Sequence, residues 1–298
     1  MGTKIVEFFG YAPTDRSAVA TTARANRSCP FVGGKCQKTL SDGEISGVCT
    51  LAPGSGDPVI CCPLRLYANS YSVLEDVATV AFGPDIQLLP GAKAKSASTA
   101  SGKHRIAVFG KGWGGELRLP NRGRSGGYFV DWILAKLNSA DEIESFVAVE
   151  VQSIDTTGNY RAEREAHLNG IDFPGTSTAG FNWENVNKRI LPQLIYKGHV
   201  LRREQLCSKG LFFVSPKRVY SKIQERLGSN LLSYNLQSGS LSFMWYDVAE
   251  PADIGNVRGL RRGGIFTTTV DQVALAFTSP SNLPPQNVYE QAIRDALS

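Results

Sequence analysis

Short apolar runs and strict two-residue alternation dominate the chain, and helical spacing appears in only a few places. Arg105–Phe109, Leu211–Ser215, Leu241–Val248 and Ile265–Val270 read as strands. So does Phe146–Gln152, and a further strand carries Asp131 in the stretch Tyr128–Leu134. Helical patterns cover Arg16–Ala25, Trp183–Leu201 with an interruption at Pro192, Pro216–Leu227, and Pro285–Leu297 with proline near its start. In Pro216–Leu227, Val219, Ile223 and Leu227 form an inward stripe, and Lys217, Lys222 and Arg226 face outward. Residues 68–87 form a mixed apolar stretch with no assigned element. Strands and helices interleave, which predicts an α/β or α+β fold built on a mixed central sheet flanked by helices.

Between these elements lie turn-forming and low-apolar segments. Pro90–Lys103 is rich in Ala, Ser, Gly and Lys and reads as a linker or mobile loop. Gly110–Gly115 reads as a turn before Glu116. Asn121–Gly127, with Arg122, Arg124 and its glycines, reads as a basic hairpin loop or a plain turn. The predicted organisation is a metal-binding segment over residues 1–87, a linker or loop over 88–103 and a larger domain over 104–298.

The chemistry concentrates on the strand Phe146–Ile154. Side chains alternate faces along a strand, so Glu150 and Gln152 project from the same side. Asp131 on a neighbouring strand would add a second carboxylate. Two carboxylates and an amide oxygen suit a hard divalent cation such as Mg²⁺. Such a site can activate water against a phosphodiester. The competing reading is the solvent side of an edge strand, where polar residues alternate with apolar ones as a matter of course.

Charge distribution favours the first reading. Residues 136–172 carry eight acids against three Lys or Arg, and Glu150 lies among them. Residues 197–226 reverse the balance, with Lys197, Arg202, Arg203, Lys209, Lys217, Arg218, Lys222 and Arg226 against two acids. Arg258, Arg261 and Arg262 form a second basic knot. Carboxylates hold metal and cations hold a nucleic-acid backbone, so this separation suits a phosphodiester substrate. No apolar stretch is long enough to span a bilayer. The N-terminus, with Glu7 and no sustained apolar core, does not read as a secretory signal, and a cytoplasmic protein is expected.

Five of the six cysteines fall in one glycine- and proline-rich stretch: Cys29, Cys36, Cys49, Cys61 and Cys62. In a reducing compartment this density predicts a metal rather than disulfides. Four thiolates in tetrahedral array suit Zn²⁺ or Fe and leave no open position for a substrate, so the expected role is structural. Cys207 stands apart and reads as a core residue.

Together these two constellations resemble the NotI-like type II restriction endonucleases, a branch of the PD-(D/E)XK nuclease superfamily. The resemblance runs through Val6–Gly10, Ser28–Phe31, Cys36–Lys38, Gly47–Cys49 and Cys62–Pro63 in the order of the family's four-cysteine motif. It continues through Gly114–Leu117, Phe129–Trp132, Val149–Gln152, Gly158 and Tyr160, with a weaker echo at Asn185–Arg189. It covers about residues 5–67 and 112–220. It implies a PD-(D/E)XK-type sheet with a small N-terminal four-cysteine subdomain. Asp131 and Glu150 are implied as ligands of a catalytic Mg²⁺, and Glu116 as an additional acid near the site. Gln152 takes the place where most of the superfamily has lysine, and Val130 stands where a proline often precedes the aspartate. Cys29, Cys36, Cys49 and Cys62 match the metal thiolates, with iron as the implied occupant, although the adjacent Cys61 can substitute for Cys62.

The expected activity is Mg²⁺-dependent, sequence-specific cleavage of double-stranded DNA, in the family's manner at a GC-rich palindrome built around CGGCCG. A palindromic target implies a homodimer. Guanine readout uses Arg or Lys, and Arg122, Arg124, Arg258, Arg261 and Arg262 are the candidates. The alternatives are a repair or structure-specific nuclease of the same fold, or a noncatalytic metal-stabilised DNA-binding protein. No Walker-type loop is present, so ATP is not expected, and His104, His167 and His199 fit no metal or nucleophile pattern.

Overall fold

The computed structural model describes residues 2–54, 56–97, 102–117, 129–279 and 283–298. The chain opens with β1 (Thr3–Phe8), followed by α1 (Ala18–Ala25). Ser17 starts this helix, its hydroxyl accepting from the Ala20 N–H. β2 (Val48–Pro53) and β3 (Val59–Ile60) complete a three-stranded antiparallel sheet in the order β1-β2-β3. A 3₁₀ turn at Pro63–Tyr67 then leads into α2 (Ala68–Phe82). Residues 68–82 of the unassigned apolar stretch are therefore helical. Their pattern resists reading because Asn69, Ser70 and Tyr71 adopt left-handed φ, which breaks the helical phase at the start.

The main sheet follows. β4 (Ile86–Pro90) precedes a 3₁₀ turn at Gly91–Ala94, and β5 (His104–Gly110) comes after it. The segment expected as a linker thus opens with a turn whose Ala94 is buried against Ala107, Ala135 and Leu137, while residues 98–101 lie outside the described residues. β6 (Trp132–Leu137) and β7 (Ile143–Val151) come next. The short pair β8 (Thr156–Thr157) and β9 (Gly180–Phe181) brackets α3 (Arg161–Leu168), a helix within a stretch that carried no assigned element. A π turn at Val186–Ile190 runs into α4 (Leu191–Leu201), whose first turn contains Pro192. β10 (Leu211–Pro216), α5 (Lys217–Leu227), β11 (Ser240–Val248), β12 (Leu260–Thr269), α6 (Val270–Thr278) and α7 (Val288–Leu297) complete the chain.

The seven strands of the main sheet lie in the order β12-β11-β10-β7-β6-β5-β4. β7, β10 and β11 run parallel, β6 is antiparallel to both β5 and β7, and β12 is antiparallel to β11. This is the mixed α/β sheet that the sequence predicts. β7 is central, and both its faces are covered. Val147, Val149 and Val151 pack with Val73, Leu74 and Val77 of α2 on one side. Ala148 faces Leu191 and Leu194 of α4 and Val219 and Ile223 of α5 on the other. A strand sandwiched this way needs apolar residues at successive positions. Glu150 is the exception, and it lies at the carboxyl end.

The N-terminal sheet is tied to the rest by a buried ion pair. Arg65 Nε and Nη2 each lie 2.9 Å from a Glu7 carboxylate oxygen, and both side chains are fully buried. Thr50 also donates to Glu7. Arg65 Nη2 then reaches the carbonyls of Arg258 at 2.8 Å and Gly259 at 3.1 Å, just before β12.

Candidate active site

Asp131 stands one residue before β6, at the point where that strand meets the end of β7. Its Oδ2 accepts from the Val151 N–H at 2.8 Å, which locks the aspartate to the strand that carries Glu150. Gln152 extends the same ladder one residue past β7, its N–H donating to Val214 O at 3.0 Å. Alternation from Glu150 then sets Gln152 on the same side. Glu116 is exposed on the coil after β5, close enough that its charge acts on Asp131. Asp131 is thus linked electrostatically to Glu150 on one side and to Glu116 on the other, and Gln152 lies two residues along the chain from Glu150.

The turn that carries Glu116 is fixed by glycine. Gly114 has φ +83°, and an added Cβ would stand 1.8 Å from Val108 O and 2.8 Å from Gly91 N. No other residue can let these three backbone segments come so close.

Glu150 is 8% exposed. Its Oε1 accepts from Lys197 Nζ of α4 at 2.6 Å, whereas Oε2 is buried with no hydrogen-bond partner among the described residues. The Asp131 backbone N–H is near enough to act on this carboxylate but outside hydrogen-bonding geometry. Burial, and then the Asp131 charge, push the Glu150 carboxyl up to about 7, against the opposing pull of Lys197. Asp131 presents much of its surface to solvent, yet protein crowds its carboxylate from the strand side. Burial raises its pKa and Glu116 adds to the rise, while the Val151 N–H and Lys197 oppose it.

Such repulsion between crowded carboxylates is what a divalent cation relieves. The partnerless Glu150 Oε2 and the exposed Asp131 are therefore suited to a Mg²⁺ ion, which binds one or two carboxylates and keeps several waters. Beside Asp131 opens a cleft of about 440 Å³ walled by Tyr67, Tyr71 and Trp132, with Lys111 at its rim. The wall is stiff, because Trp132 Nε1 donates to the Tyr67 hydroxyl at 2.9 Å and both rings touch Tyr71.

Lys197 enters the sequence reading only as one of eight basic residues. A finer signal is present. In α4 the buried positions are Leu191, Leu194, Gly198 and Leu201, and Lys197 lies three residues from Leu194 and four from Leu201. A lysine on that stripe points toward the sheet rather than to solvent.

The remaining basic candidates divide. Arg258 donates to Ala249 O at 3.1 Å from Nε, which occupies it inside the fold. Lys209 donates to Ala81 O and lies over the Phe82 ring, and Arg202 pairs with Asp271 at 2.6 Å. Arg261 and Arg262 are exposed on the edge strand β12. Arg122 and Arg124 lie outside the described residues.

All six cysteines are free thiols and all are buried. The charge of Cys36 acts on Cys29, Cys49 and Cys62, and that of Cys62 on Cys49, so these four are near neighbours. Burial raises Cys29, holds Cys49 well above the usual thiol range and pushes Cys62 up to about 12. Cys61 is engaged differently, accepting from the half-buried Lys38 Nζ at 3.2 Å. Among the described residues no three His, Cys, Asp or Glu side chains close around a common point as metal ligands. The fold therefore gathers the thiols without forming a finished tetrahedral site. Cys207 is a core residue beside Leu201 and Leu211, as expected.

No helix among the described residues is long and apolar enough to cross a membrane. No curated protein matches the chain. A family model described as restriction endonuclease NotI matches residues 16–209, a span that holds Glu116, Asp131, Glu150, Gln152 and all six cysteines. That match covers well over half of the chain, and the protein belongs to the NotI restriction endonuclease family.

Proposed function

We propose that this restriction endonuclease cleaves double-stranded DNA in a Mg²⁺-dependent reaction centred on Asp131 and Glu150, at a GC-rich palindrome such as one built around CGGCCG, and acts as a homodimer. The observation that carries the site assignment is the buried Glu150 Oε2, partnerless beside a second carboxylate. A binding module gains nothing from a buried carboxylate oxygen that the Lys197 pairing of Oε1 leaves without a partner, which costs stability unless a second cation is there to meet it.

In this reading Asp131 and Glu150 hold the ion, with Asp131 aimed by the Val151 N–H. When bound, Mg²⁺ supplies positive charge to the phosphate and a coordinated water of lowered pKa. Gln152 neither accepts a proton as a base nor carries charge. Its amide orients a water or a phosphate oxygen. Glu116 adds negative charge at the open side and helps draw the cation in. The stiff aromatic wall of the cleft and the Val151 N–H hold Asp131 in place beside the strand that carries Glu150. Arg261 and Arg262, exposed on β12, stay as candidates for DNA contact.

Asp131→Asn and Glu150→Ala test this assignment. Each is expected to abolish cleavage while DNA binding in Ca²⁺ stays within about threefold of the parent. An order-of-magnitude standard for losing a central electrostatic group is a ~10²–10³-fold fall in rate. Cleavage at the parental rate by either variant contradicts the assignment.

We propose further that Cys29, Cys36, Cys49 and Cys62 hold a structural Fe or Zn²⁺. Support comes from their burial, their mutual proximity and the lack of disulfides. Engagement of Cys61 by Lys38 favours Cys62 as the fourth ligand. Elemental analysis of the purified protein should give about one such ion per chain. Cys36→Ala should lose it and melt at a lower temperature. Full metal content and unchanged melting in that variant would overturn the ligand set.

A further inference from the structure

The centre just described has an imbalance of charge. Asp131 and Glu150 lie together where an anionic phosphodiester must also sit, the Glu116 charge adds to that of Asp131, and Gln152 contributes no cation. One divalent ion does not neutralise this sum. A lysine from the middle of α4 stands beside these carboxylates.

Lys197 Nζ stands 2.6 Å from Glu150 Oε1, with its side chain 17% exposed. Its charge reaches Asp131 as well. Lys197 lines an otherwise largely apolar cavity together with Ile133, Phe146, Val200 and Leu201, so its ammonium is a polar tip in apolar surroundings. The helix beneath it is rigidly seated. At the next residue, Gly198, an added Cβ would stand 2.6 Å from Val270 Cγ2 of α6. The other cation nearby, Lys111, is exposed on the turn after β5 and forms no ion pair among the described residues.

We propose that Lys197 is a catalytic residue of the cleavage reaction, delivered from α4 to contact a nonbridging oxygen of the scissile phosphate beside Glu150. This rests on the reading of Asp131 and Glu150 as the reaction centre. Without substrate, Glu150 Oε1 holds the ammonium in place. With DNA and metal bound, Glu150 turns to the cation and Lys197 to the phosphate. In the step itself, a water oxygen forms a bond to phosphorus as the bond from phosphorus to the leaving sugar oxygen breaks. The electron pair of that bond leaves with the sugar oxygen, which takes a proton from solvent, and the attacking water gives one proton to solvent. The Lys197 ammonium offsets the charge that builds on the phosphate oxygens.

The test uses the full-length parent, Lys197→Met, the control Lys4→Ala, and the double variant Gln152→Lys with Lys197→Met. Melting temperature, DNA affinity in Ca²⁺, the Mg²⁺ concentration giving half-maximal rate and the single-turnover cleavage rate are measured for each. Lys197→Met is expected to bind DNA within about threefold of the parent. Its rate at saturating Mg²⁺ should fall by about 10²-fold or more, with half-saturation by Mg²⁺ no higher than the parent's. Lys4→Ala, at a residue exposed on β1 and outside the site, should cleave within about threefold of the parent. A lysine at position 152, two residues along the same side of β7, should restore at least about tenfold of the loss. The double variant also serves if Lys197→Met alone fails to fold. The proposal is overturned by a folded Lys197→Met that cleaves within about threefold of the parent, or whose loss disappears at high Mg²⁺. A folded, DNA-binding double variant with no recovery also overturns it. Failure of the parent to cleave at all would instead strike the reading of Asp131 and Glu150.

Discussion

At the scale of single residues, the site is a conflict held in place by packing. Glu150 and Asp131 raise each other's cost of ionisation, and one Glu150 oxygen has no partner. Active sites commonly keep such conflicts at the expense of stability. Removing one charge should therefore not weaken the metal-free fold. In EDTA, Asp131→Asn is predicted to melt at or slightly above the parent's temperature, since an asparagine Oδ1 still accepts from Val151 while its repulsion of Glu150 is gone. Added Ca²⁺ should raise the parent's melting temperature and leave that of Asp131→Asn nearly unchanged. A clear drop in melting temperature for Asp131→Asn in EDTA would mean that the aspartate is a structural residue. Asp131, Glu150 and Gln152 are legible in the sequence because two of them lie two positions apart on one strand, and strand alternation is simple geometry. Lys197 is not legible in the same way. Its 2.6 Å approach to Glu150 depends on how α4 crosses the sheet, 47 positions further along the chain.

At the scale of elements, the strands and amphipathic helices follow the apolar pattern closely. β7, β10 and β11 carry the runs expected of strands covered on both faces, and α5 buries Val219, Tyr220, Ile223 and Leu227. The pattern is silent where backbone conformation overrides it. α2 begins with three left-handed residues, and α3 has a polar sequence whose Glu163, Arg164 and His167 are buried by ion pairs and hydrogen bonds. Such helices are held by tertiary contacts more than by an apolar stripe. The contact of α4 with α6 gives an element-scale prediction. Gly198→Ala inserts a methyl group where Val270 already stands 2.6 Å away, so α4 must shift from α6. Overpacking of this kind costs about 1–3 kcal/mol. Because Lys197 is the adjacent residue, the cleavage rate should fall more than DNA affinity in Ca²⁺. Equal stability and equal rate in Gly198→Ala would show that the helix has slack at this point.

At the scale of the whole molecule, the link between the N-terminal sheet and the main sheet is electrostatic as well as apolar. Glu7 of β1, Arg65 before α2 and the carbonyls of Arg258 and Gly259 form one buried network. Breaking a buried pair by removing one partner strands the other charge and typically costs about 3–5 kcal/mol. Glu7→Ala should lower the unfolding free energy by that order in denaturant titration, far from the site. A loss under about 1 kcal/mol would mean that water reaches Arg65. The exposed helix α7, which has no buried residue, takes no part in this network. The central claim is that these parts assemble around Asp131 and Glu150 to cut DNA at one sequence. The most direct test is to incubate the purified protein with unmethylated DNA of known sequence, in Mg²⁺ and in EDTA, and to sequence the ends. Discrete fragments in Mg²⁺ alone, all ending in one GC-rich palindrome, are the predicted result. A Mg²⁺-dependent smear would contradict sequence specificity, and intact DNA in Mg²⁺ would contradict the reaction centre itself.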